Sequence, residues 1–477
     1  MTSFDEIIAS VSAEDLIKPY EGVSIETMGK PRPDLDNHIM LPDEQRKNLA
    51  FFARAAIEHV GWDGFSKEHQ EAFKKQVEEL YNNISGMAKQ SEFMGMVAQK
   101  CVPFIEDRHF ILATGSAVYS GGGPKEKPSV GKNLGYYKAE QLSDMKLNLI
   151  DEEYKLNGKG EKYLAWRICT AQTQKGEDVL IVSIPNLPNS GSYDETAKFI
   201  ESFDKIYLEN KEKWDKGRII IDVRGNPGGE DKPIDHVAKR LYGNLVNTYK
   251  RCEIKDTEVS NAFLHRHGAY KPQNYERDGL KKEDLVARRC FSGTNRALFD
   301  ETKEFYPYNK EKGYKGRIDI LLDSGVGSSA ESAYTSFYHH PRVRYIGENT
   351  SGMQQFTQGS FAMPCGYMMR IGVTKLTYWD KEGENIEVKG HKPDVNCRGK
   401  DALLTAFQLQ RDEGRCMGLR QTNEPRSTNV VFAEYNPRAT ADPRKAYYAR
   451  YLEPALNRLE TENRVLMQQS LQKGNGM

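Results

Sequence analysis

Two stretches of this chain share an order of residues that strongly limits how it can fold. In the first, the apolar, β-branched residues Ile219, Ile220, Ile221 and Val223 are followed by a glycine-containing turn at residues 224–229. In the second, the mostly apolar residues 317–322 are followed by a similar turn at residues 323–327. Short continuous apolar runs are typical of strands buried on both faces of a parallel sheet. The chain is therefore predicted to have an α/β core in which buried strands run directly into tight turns.

A helix is predicted after the first turn. Asp231 and Pro233 suit its N-cap and first turn, and Gly243 suits its end. Its inner face is predicted from residues at helical spacing: Ile234, Val237, Ala238 and Leu241. The pair Gly228 and Gly229 allows bare backbone N–H groups to face a ligand in front of this helix, although the same pair also fits a simple tight turn.

The second turn places a serine at the start of another predicted helix. Ser328 precedes a segment whose inner face is predicted to be Ala330, Ala333, Tyr334 and Phe337. A helix N-terminus stabilises a developing alkoxide, and the N–H of Ser329 would point to where a carbonyl oxygen becomes an oxyanion. Serine is also a favoured N-cap, so Ser328 alone does not identify a nucleophile.

Five segments, taken in order, resemble the tail-specific serine proteases, the superfamily of C-terminal processing proteases and tricorn protease. The similarity covers about residues 100–410 discontinuously, and five ordered motifs are more specific than any one of them. The segments are residues 106–109, 222–229, 328–331, 345–352 and 390–395.

The resemblance implies one of two catalytic arrangements. Members with a Ser/Lys dyad carry the lysine directly after the glycine that corresponds to Gly352, but this chain has Met353 there. A thioether cannot accept the serine proton. The resemblance therefore implies the Ser-His-Glu branch, with Ser328 as nucleophile, His109 as general base and Glu387 as the carboxylate that orients the imidazole. Imidazole has a pKa near neutrality, as such a base requires.

Backbone groups of the two turns complete the implied site. The oxyanion hole is assigned to the N–H groups of Gly228 and Ser329, with Gly229 as the fallback, and Gly229 and Gly352 are expected to bind substrate. Ser329 and Ser332 are alternative nucleophiles, although the family's spacing to the following glutamate favours Ser328.

One departure from the family pattern keeps alternatives open. The residue before the histidine is a hydroxyl in tricorn-like members, whereas here it is Arg108. The orienting carboxylate could thus be Glu387 or, in the same segment, Glu384, Glu382 or Asp380. A peptide-binding relative without turnover is the rival function, favoured if Arg108 pairs with Glu387. A crotonase-like acyl-CoA enzyme is the third, since fold alone does not give function.

Composition and the absence of common sequence motifs limit which partners and cofactors we expect. Lys plus Arg and Asp plus Glu number 68 each among 477 residues, so the charge gives no reason to expect nucleic acid or an anionic membrane as partner. The chain has none of the common zinc or calcium motifs, and we expect no metal and no cofactor. Its first residues have neither a basic nor an apolar signal region, and its 7 cysteines have no framework spacing. A cytoplasmic enzyme acting on a peptide or protein is predicted.

Three parts are predicted along the chain. Residues 1–105 form an N-terminal helical domain or cap, with an apolar stripe at Phe73, Val77, Leu80, Tyr81 and Ile84. Residues 106–400 form the serine protease core, with residues 244–315 as a polar insertion that could act as a lid. Residues 401–477 form a helical C-terminal extension that packs on the core or on a second subunit of a homo-oligomer. The resemblance implies a ClpP/crotonase-like ββα core. We expect no PDZ domain, because the chain between the glycine-rich loop at residues 120–127 and the strand at residues 179–184 is too short for one.

Overall fold

The computed structural model describes most of the first 409 residues. The described residues are 1–17, 33–115, 117–123, 132–156, 160–173, 175–188, 193–246, 248–249, 251–254, 257, 306–378, 386–397 and 399–409. The alternative carboxylates Glu384, Glu382 and Asp380, most of the predicted lid and residues 410–477 lie outside them. No helix in these ranges is long and apolar enough to cross a membrane.

The described α-helices are numbered in chain order. They are α1 (Phe4–Ala9), α2 (Ala13–Ile17), α3 (Pro42–Ile57), α4 (Lys67–Asn82), α5 (Gln90–Cys101), α6 (Ala139–Asp144), α7 (Tyr193–Glu209), α8 (Lys211–Lys216), α9 (Lys232–Tyr242), α10 (Ser332–Thr335) and α11 (Ala402–Gln408). Short 3-10 helices are found at Pro33–Leu35, Trp62–Gly64, Val102–Phe104, Leu134–Tyr136 and Ser328–Glu331.

The described strands are numbered in the same way. They are β1 (Ile39–Met40), β2 (Ala88–Lys89), β3 (Ile111–Ala113), β4 (Val118–Ser120), β5 (Asn148–Leu156), β6 (Lys162–Gln172), β7 (Asp178–Ser183), β8 (Arg218–Asp222), β9 (Arg251–Ile254), β10 (Arg317–Leu322), β11 (Val343–Gly347), β12 (Phe356–Ala362), β13 (Met368–Thr377) and β14 (Val395–Asn396).

The larger described sheet has seven strands in the order β14-β11-β10-β8-β7-β6-β5. Strands β7, β8, β10, β11 and β14 are parallel, while β6 and β5 are antiparallel to their neighbours. All residues of β8 and β10 are buried, as predicted for strands covered on both faces. Because β8 and β10 are adjacent and parallel, the two glycine-containing turns leave the sheet side by side.

The helix predicted after the first turn is confirmed as α9. Pro233 lies in its first turn, Gly243 ends it in the left-handed conformation, and the four predicted inner residues are buried. Asp231 occupies the N-cap position but its side chain does not cap the helix. The Asp231 carboxylate instead accepts a hydrogen bond from Ser332 Oγ at 2.9 Å, which joins the start of α9 to the second turn.

A second sheet joins the N-terminal helices to the rest of the chain. Its described strands run in the order β12-β13-β3-β4, with β9 also paired to β13, and all pairs are antiparallel. Helices α1 and α3–α5 share one apolar core with this sheet. The predicted stripe on α4 contributes Phe73, Val77, Leu80 and Ile84 as buried residues, with Tyr81 partly buried. Strand β9 falls within the predicted polar insertion, so part of that insertion belongs to the sheet.

Candidate active site

Ser328 lies at a sharp turn close to the end of strand β10. It starts the 3-10 helix that follows β10, it is partly exposed, and its φ is +54°. Left-handed backbone is uncommon for a residue other than glycine and costs free energy that the surroundings must offset. The predicted helix is shorter than expected, because it consists of the 3-10 helix and the four-residue α10. Its dipole therefore supports an alkoxide less than a full helix would.

The glycine turn packs directly against Ser328. A Cβ atom added to Gly228 would lie 2.6 Å from Ser328 Cβ and 2.9 Å from the carbonyl oxygen of Gly327. One added to Gly229 would lie 2.6 Å from the carbonyl oxygen of Pro188. The φ angles of Gly228 and Gly229 are +116° and +148°. Both glycines are therefore required by conformation and also by the lack of space for a side chain.

The N–H of Gly228 has a partner within the chain. It donates to Oδ1 of the buried Asn226 at 2.9 Å, and Asn226 Nδ2 donates to the carbonyl oxygen of Ile184 at 2.8 Å. The carbonyl oxygen of Asn226 accepts the N–H of Gly327 at 3.0 Å. Asn226 thus ties the glycine turn both to the residue that follows β7 and to the Ser328 turn. In this arrangement the N–H that was assigned to the oxyanion hole points to Asn226.

The competing serines make contacts that differ from those expected of a nucleophile. Ser329 and Ser332 both hydrogen-bond to the Asp231 carboxylate through their side chains. Both of these hydroxyls therefore already have a hydrogen-bond acceptor, Asp231 at the start of α9. This contact pattern favours Ser328 among the three serines.

His109 lies in a turn that the buried Asp107 organises. Asp107 Oδ1 accepts the backbone N–H of His109 at 2.7 Å, and Asp107 Oδ2 lies 2.8 Å from Nε2 of His59. Asp107 and His59 are fully buried, and His109 is largely buried. Both carboxylate oxygens of Asp107 are therefore fixed by groups on either side of it.

Glu387 lies beside this turn, as the resemblance implied. One oxygen of its buried carboxylate accepts the backbone N–H of Arg108 and the other accepts that of Gln355, each at 3.1 Å. One carboxylate oxygen from each of Asp107 and Glu387 and one ring nitrogen of His109 all lie within 4.8 Å of one another. The structure therefore brings the predicted base and the predicted carboxylate together and adds a second carboxylate to them.

Burial raises the pKa of Glu387 well above its ordinary value of 4.5. The negative charges of Asp107 and Glu331 raise this pKa further, against the opposing effect of the two N–H donors. Two carboxylates that share a buried site seldom ionise together. Burial and the neighbouring negative charges thus favour the protonated form of the Glu387 carboxyl.

Arg108 contacts Glu387 through its backbone, and its side chain reaches another group. The guanidinium Nη1 donates to the carbonyl oxygen of Ser351 at 2.5 Å. The side chain is largely buried. Arg108 therefore links the histidine turn to the loop that carries Ser351.

The loop at residues 350–353 connects the histidine turn to the Ser328 turn through Glu331. The buried Glu331 carboxylate accepts the N–H groups of Gly352 at 3.0 Å and Met353 at 2.6 Å. It also accepts hydrogen bonds from the Thr350 hydroxyl and the Ser328 N–H. On the other side, the carbonyl oxygen of Gly352 accepts the N–H of Val388, next to Glu387, at 2.9 Å. Hydrogen bonds through Glu331 and this loop thus connect the serine turn to the residue next to Glu387.

The cluster of Asp107, His109 and Glu387 has a spacing that a cation could bridge. Each of its four carboxylate oxygens, however, already accepts a hydrogen bond from an N–H group. A metal ion would have to displace these donors. The donor set fits a hydrogen-bonded acid–imidazole cluster better than a metal centre.

Comparison with known proteins identifies the class. The family model of peptidase family S41 matches residues 178–397. No curated protein matches the chain. A putative peptidase from Parabacteroides merdae is similar in structure at 14% identity and a TM-score of 0.49, covering 77% of this chain and 95% of that one. The photosystem II D1 C-terminal processing protease has 11% identity and a TM-score of 0.36, covering 75% and 98%. Tricorn protease has 12% and 0.31, covering 76% and 36%.

Residues 178–397, a little under half of the chain, thus match peptidase family S41. The resemblance seen in the sequence is confirmed. The roles assigned to individual residues stay predictions. The sequence analysis missed Asp107 and His59 as parts of the cluster. Asp107 had a signal, since it stands two residues before His109, but His59 had none because its contact with Asp107 is purely tertiary.

Proposed function

We propose that this chain is a serine peptidase of the Ser-His-Glu type that hydrolyses peptide bonds through an acyl-enzyme. Ser328 is the nucleophile, His109 the general base and Glu387 the orienting carboxylate. The observation that carries this proposal is the left-handed turn of Ser328, which packs against Gly228 and is connected through Glu331 and Gly352 to the residue next to Glu387. Met353 in place of a lysine leaves no Ser/Lys dyad at that position.

The proposed chemistry follows the serine hydrolase pattern. Ser328 Oγ attacks the peptide carbonyl carbon while His109 takes its proton, giving a tetrahedral oxyanion. The C–N bond then breaks, and the imidazolium gives that proton to the departing amine. Water, deprotonated by His109, attacks the remaining ester and releases Ser328. The Glu387 carboxyl can orient the ring by hydrogen bonding, and Asp107 lies in the same cluster beside it.

The oxyanion hole is proposed to use the N–H of Ser329 together with that of Gly228 or Gly229. For Gly228 to donate, its hydrogen bond to Asn226 would have to break on substrate binding. The N–H of Gly229 has no hydrogen bond to Asn226 to break, so we favour Gly229 as the second donor. Gly229 and Gly352 are proposed to line the substrate-binding cleft, because Gly229 follows Gly228 beside Ser328 and the loop of Gly352 is hydrogen-bonded to Glu331 of the serine turn.

The fold is proposed to be a ClpP/crotonase-like ββα core with a helical cap and without a PDZ domain. The division at residues 1–105, 106–400 and 401–477, the lid and a homo-oligomer remain proposals of the same kind. A peptidase of this class needs a peptide or protein substrate, and its location in the cytoplasm stays a prediction.

The rival proposal is a peptide-binding relative with little or no turnover. The engagement of the Gly228 N–H by Asn226 favours it, because a hole with one donor occupied stabilises an oxyanion less. The two proposals differ in whether Ser328 is reactive.

Labelling with a fluorophosphonate probe decides between them. We expect the folded parent to label, Ser328→Ala to abolish labelling and His109→Ala to slow it by about 10²–10⁴-fold. Ser329→Ala keeps its backbone N–H and is the matched control, so most of the labelling should remain. A folded parent that never labels would rule out the active peptidase and leave the peptide-binding relative.

A further inference from the structure

His59 is a fully buried histidine that follows α3 in the N-terminal helical part of the chain. Its ring packs edge-on to Phe356 at 4.8 Å and lies 5.0 Å from the ring of Phe65. A Cβ atom on Gly372 of β13 would lie 2.5 Å from His59 Nε2, so the strand passes close to the ring. The ring is therefore held firmly, with little freedom to turn.

The hydrogen bonds of His59 define its tautomer. The backbone N–H of Gly61 donates to His59 Nδ1 at 2.9 Å. Since a backbone N–H can only donate, Nδ1 must be the unprotonated acceptor, and the ring proton is on Nε2. Nε2 faces Asp107 Oδ2 at 2.8 Å and so donates to it. His59 is a neutral imidazole that supplies one strong donor to a buried carboxylate.

Asp107 passes this constraint to the histidine turn. With Oδ2 held by His59, Oδ1 is directed at the N–H of His109 at 2.7 Å. Next to it, the N–H of Arg108 is held by Glu387. Without the His59 donor, a buried oxygen of Asp107 loses a partner, and the carboxylate must rotate or take up a proton to reduce the cost.

We propose that His59 is a positioning residue of the active site, acting through Asp107 to hold His109 in its working orientation. This inference rests on the proposed peptidase function. It makes the N-terminal helical part a contributor to the catalytic machinery, since the donor comes from the segment directly after α3. The orientation of a metal-bound or catalytic histidine by a buried partner is a common way to fix its basicity.

Two substitutions separate positioning from packing. In His59→Asn the amide occupies the place of Nδ1, so the acceptor for Gly61 is kept and the donor to Asp107 is lost. In His59→Gln the amide reaches the place of Nε2, so the donor to Asp107 is kept and the acceptor for Gly61 is lost. Both remove the ring, and each therefore serves as the packing control for the other.

The readout is the rate of fluorophosphonate labelling of Ser328 as a function of pH, per folded molecule, in the full chain. We expect H59N to slow labelling by about tenfold or more and to move the midpoint of the pH profile, because a general base loses efficiency when its orientation and pKa change. H59Q should recover most of the lost rate. Equal rates and equal pH midpoints in H59N and the parent, once the folded fraction is taken into account, would overturn the proposal.

A second measurement keeps the inference testable if the parent does not label, in which case the peptidase proposal itself has failed. The imidazole pKa of His109 is measured by NMR on protein labelled at histidine, with His109→Ala to assign the signal. We expect this pKa to shift by about half a pH unit or more in H59N and to stay near the parent value in H59Q. Identical His109 titration in all three proteins would show that His59 only packs.

Discussion

At the scale of single residues, the site depends on backbone positions as much as on reactive side chains. Ser328 adopts φ +54°, and Gly228 leaves room for it by having no side chain. Asn226 holds the glycine turn in place through hydrogen bonds to Ile184, Gly228 and Gly327. The position of Ser328 is thus set by neighbouring residues that take no part in the proposed reaction.

Gly228→Ala tests this dependence. The new methyl group would meet Ser328 Cβ at 2.6 Å at a φ of +116°, so both overpacking and backbone strain oppose it. We expect the free energy of unfolding to fall by more than about 2 kcal/mol and labelling of Ser328 to be lost. The measurements are urea unfolding and fluorophosphonate labelling.

Gly176→Ala is the matched control, because Gly176 also has a positive φ of +77° but no described atom within 4 Å of the added Cβ. It should lose about 1–2 kcal/mol from backbone strain alone and label normally. Labelling of Gly228→Ala at the parent rate would show that the close contact between the two turns is not needed.

At the scale of elements, Glu331 joins the 3-10 helix of Ser328 to the loop at residues 350–353. Its carboxylate receives four hydrogen bonds, from Ser328, Thr350, Gly352 and Met353. Burial is the main cause that raises the pKa of Glu331, from 4.5 to about 7, and these hydrogen bonds oppose the rise. The joint between the serine turn and the loop therefore changes its charge near neutral pH.

Glu331 is expected to make stability depend on pH in a defined direction. Its folded pKa lies above the unfolded value, so the folded protein holds a proton that the unfolded chain releases between about pH 4.5 and 7. The stability from this group is complete below pH 4.5 and falls as the pH rises to 7, by about 3 kcal/mol at most. Glu331→Gln removes this contribution, and its amide leaves an N–H group of the loop without an acceptor.

The measurement is urea unfolding at pH 5 and pH 8. The difference in unfolding free energy between parent and Glu331→Gln should be larger at pH 5 than at pH 8. Glu209→Gln, at an exposed position at the end of α7, is the control and should show no such change. An equal difference at both pH values would mean that Glu331 does not titrate in this window.

At the scale of the whole molecule, the N-terminal helices and the five-stranded sheet share one core. Phe52 of α3 packs edge-on to Phe110, just before β3, with ring centroids 6.2 Å apart, and also contacts Phe73 of α4 at 5.9 Å. The turn that carries His109 directly precedes Phe110. Folding of the helical part and placement of the proposed base are therefore coupled.

Phe110→Ala is expected to loosen both parts at once. Loss of a buried phenylalanine ring should cost about 3–5 kcal/mol. Hydrogen exchange followed by mass spectrometry should show reduced protection in α3 as well as in β13. Phe199→Ala, in the core beside the seven-stranded sheet, is the comparison and should affect α7 and β8 instead. Unchanged protection of α3 in Phe110→Ala would indicate a helical domain that folds independently.

The sequence was sufficient where local pattern decides structure. The apolar runs predicted β8 and β10, and the stripe with Pro233 and Gly243 predicted α9. The sequence analysis predicted too long an α-helix after Ser328, because apolar spacing does not show that residues 328–331 form a 3-10 helix. The carboxylate role of Asp231 was also missed, since its partners Ser329 and Ser332 are about 100 residues away in the chain.

By itself, the sequence determined the class of this protein, because ordered motifs and buried strands are written in neighbouring residues. Only the tertiary structure decided how the site is held together. Asp107, Glu387 and His59 come from three distant segments. His59 bonds to Asp107, while Asp107 and Glu387 accept the backbone N–H groups of His109 and Arg108, and no local pattern records these contacts. Geometry between distant groups sets which donors and acceptors meet, and that requires the folded chain.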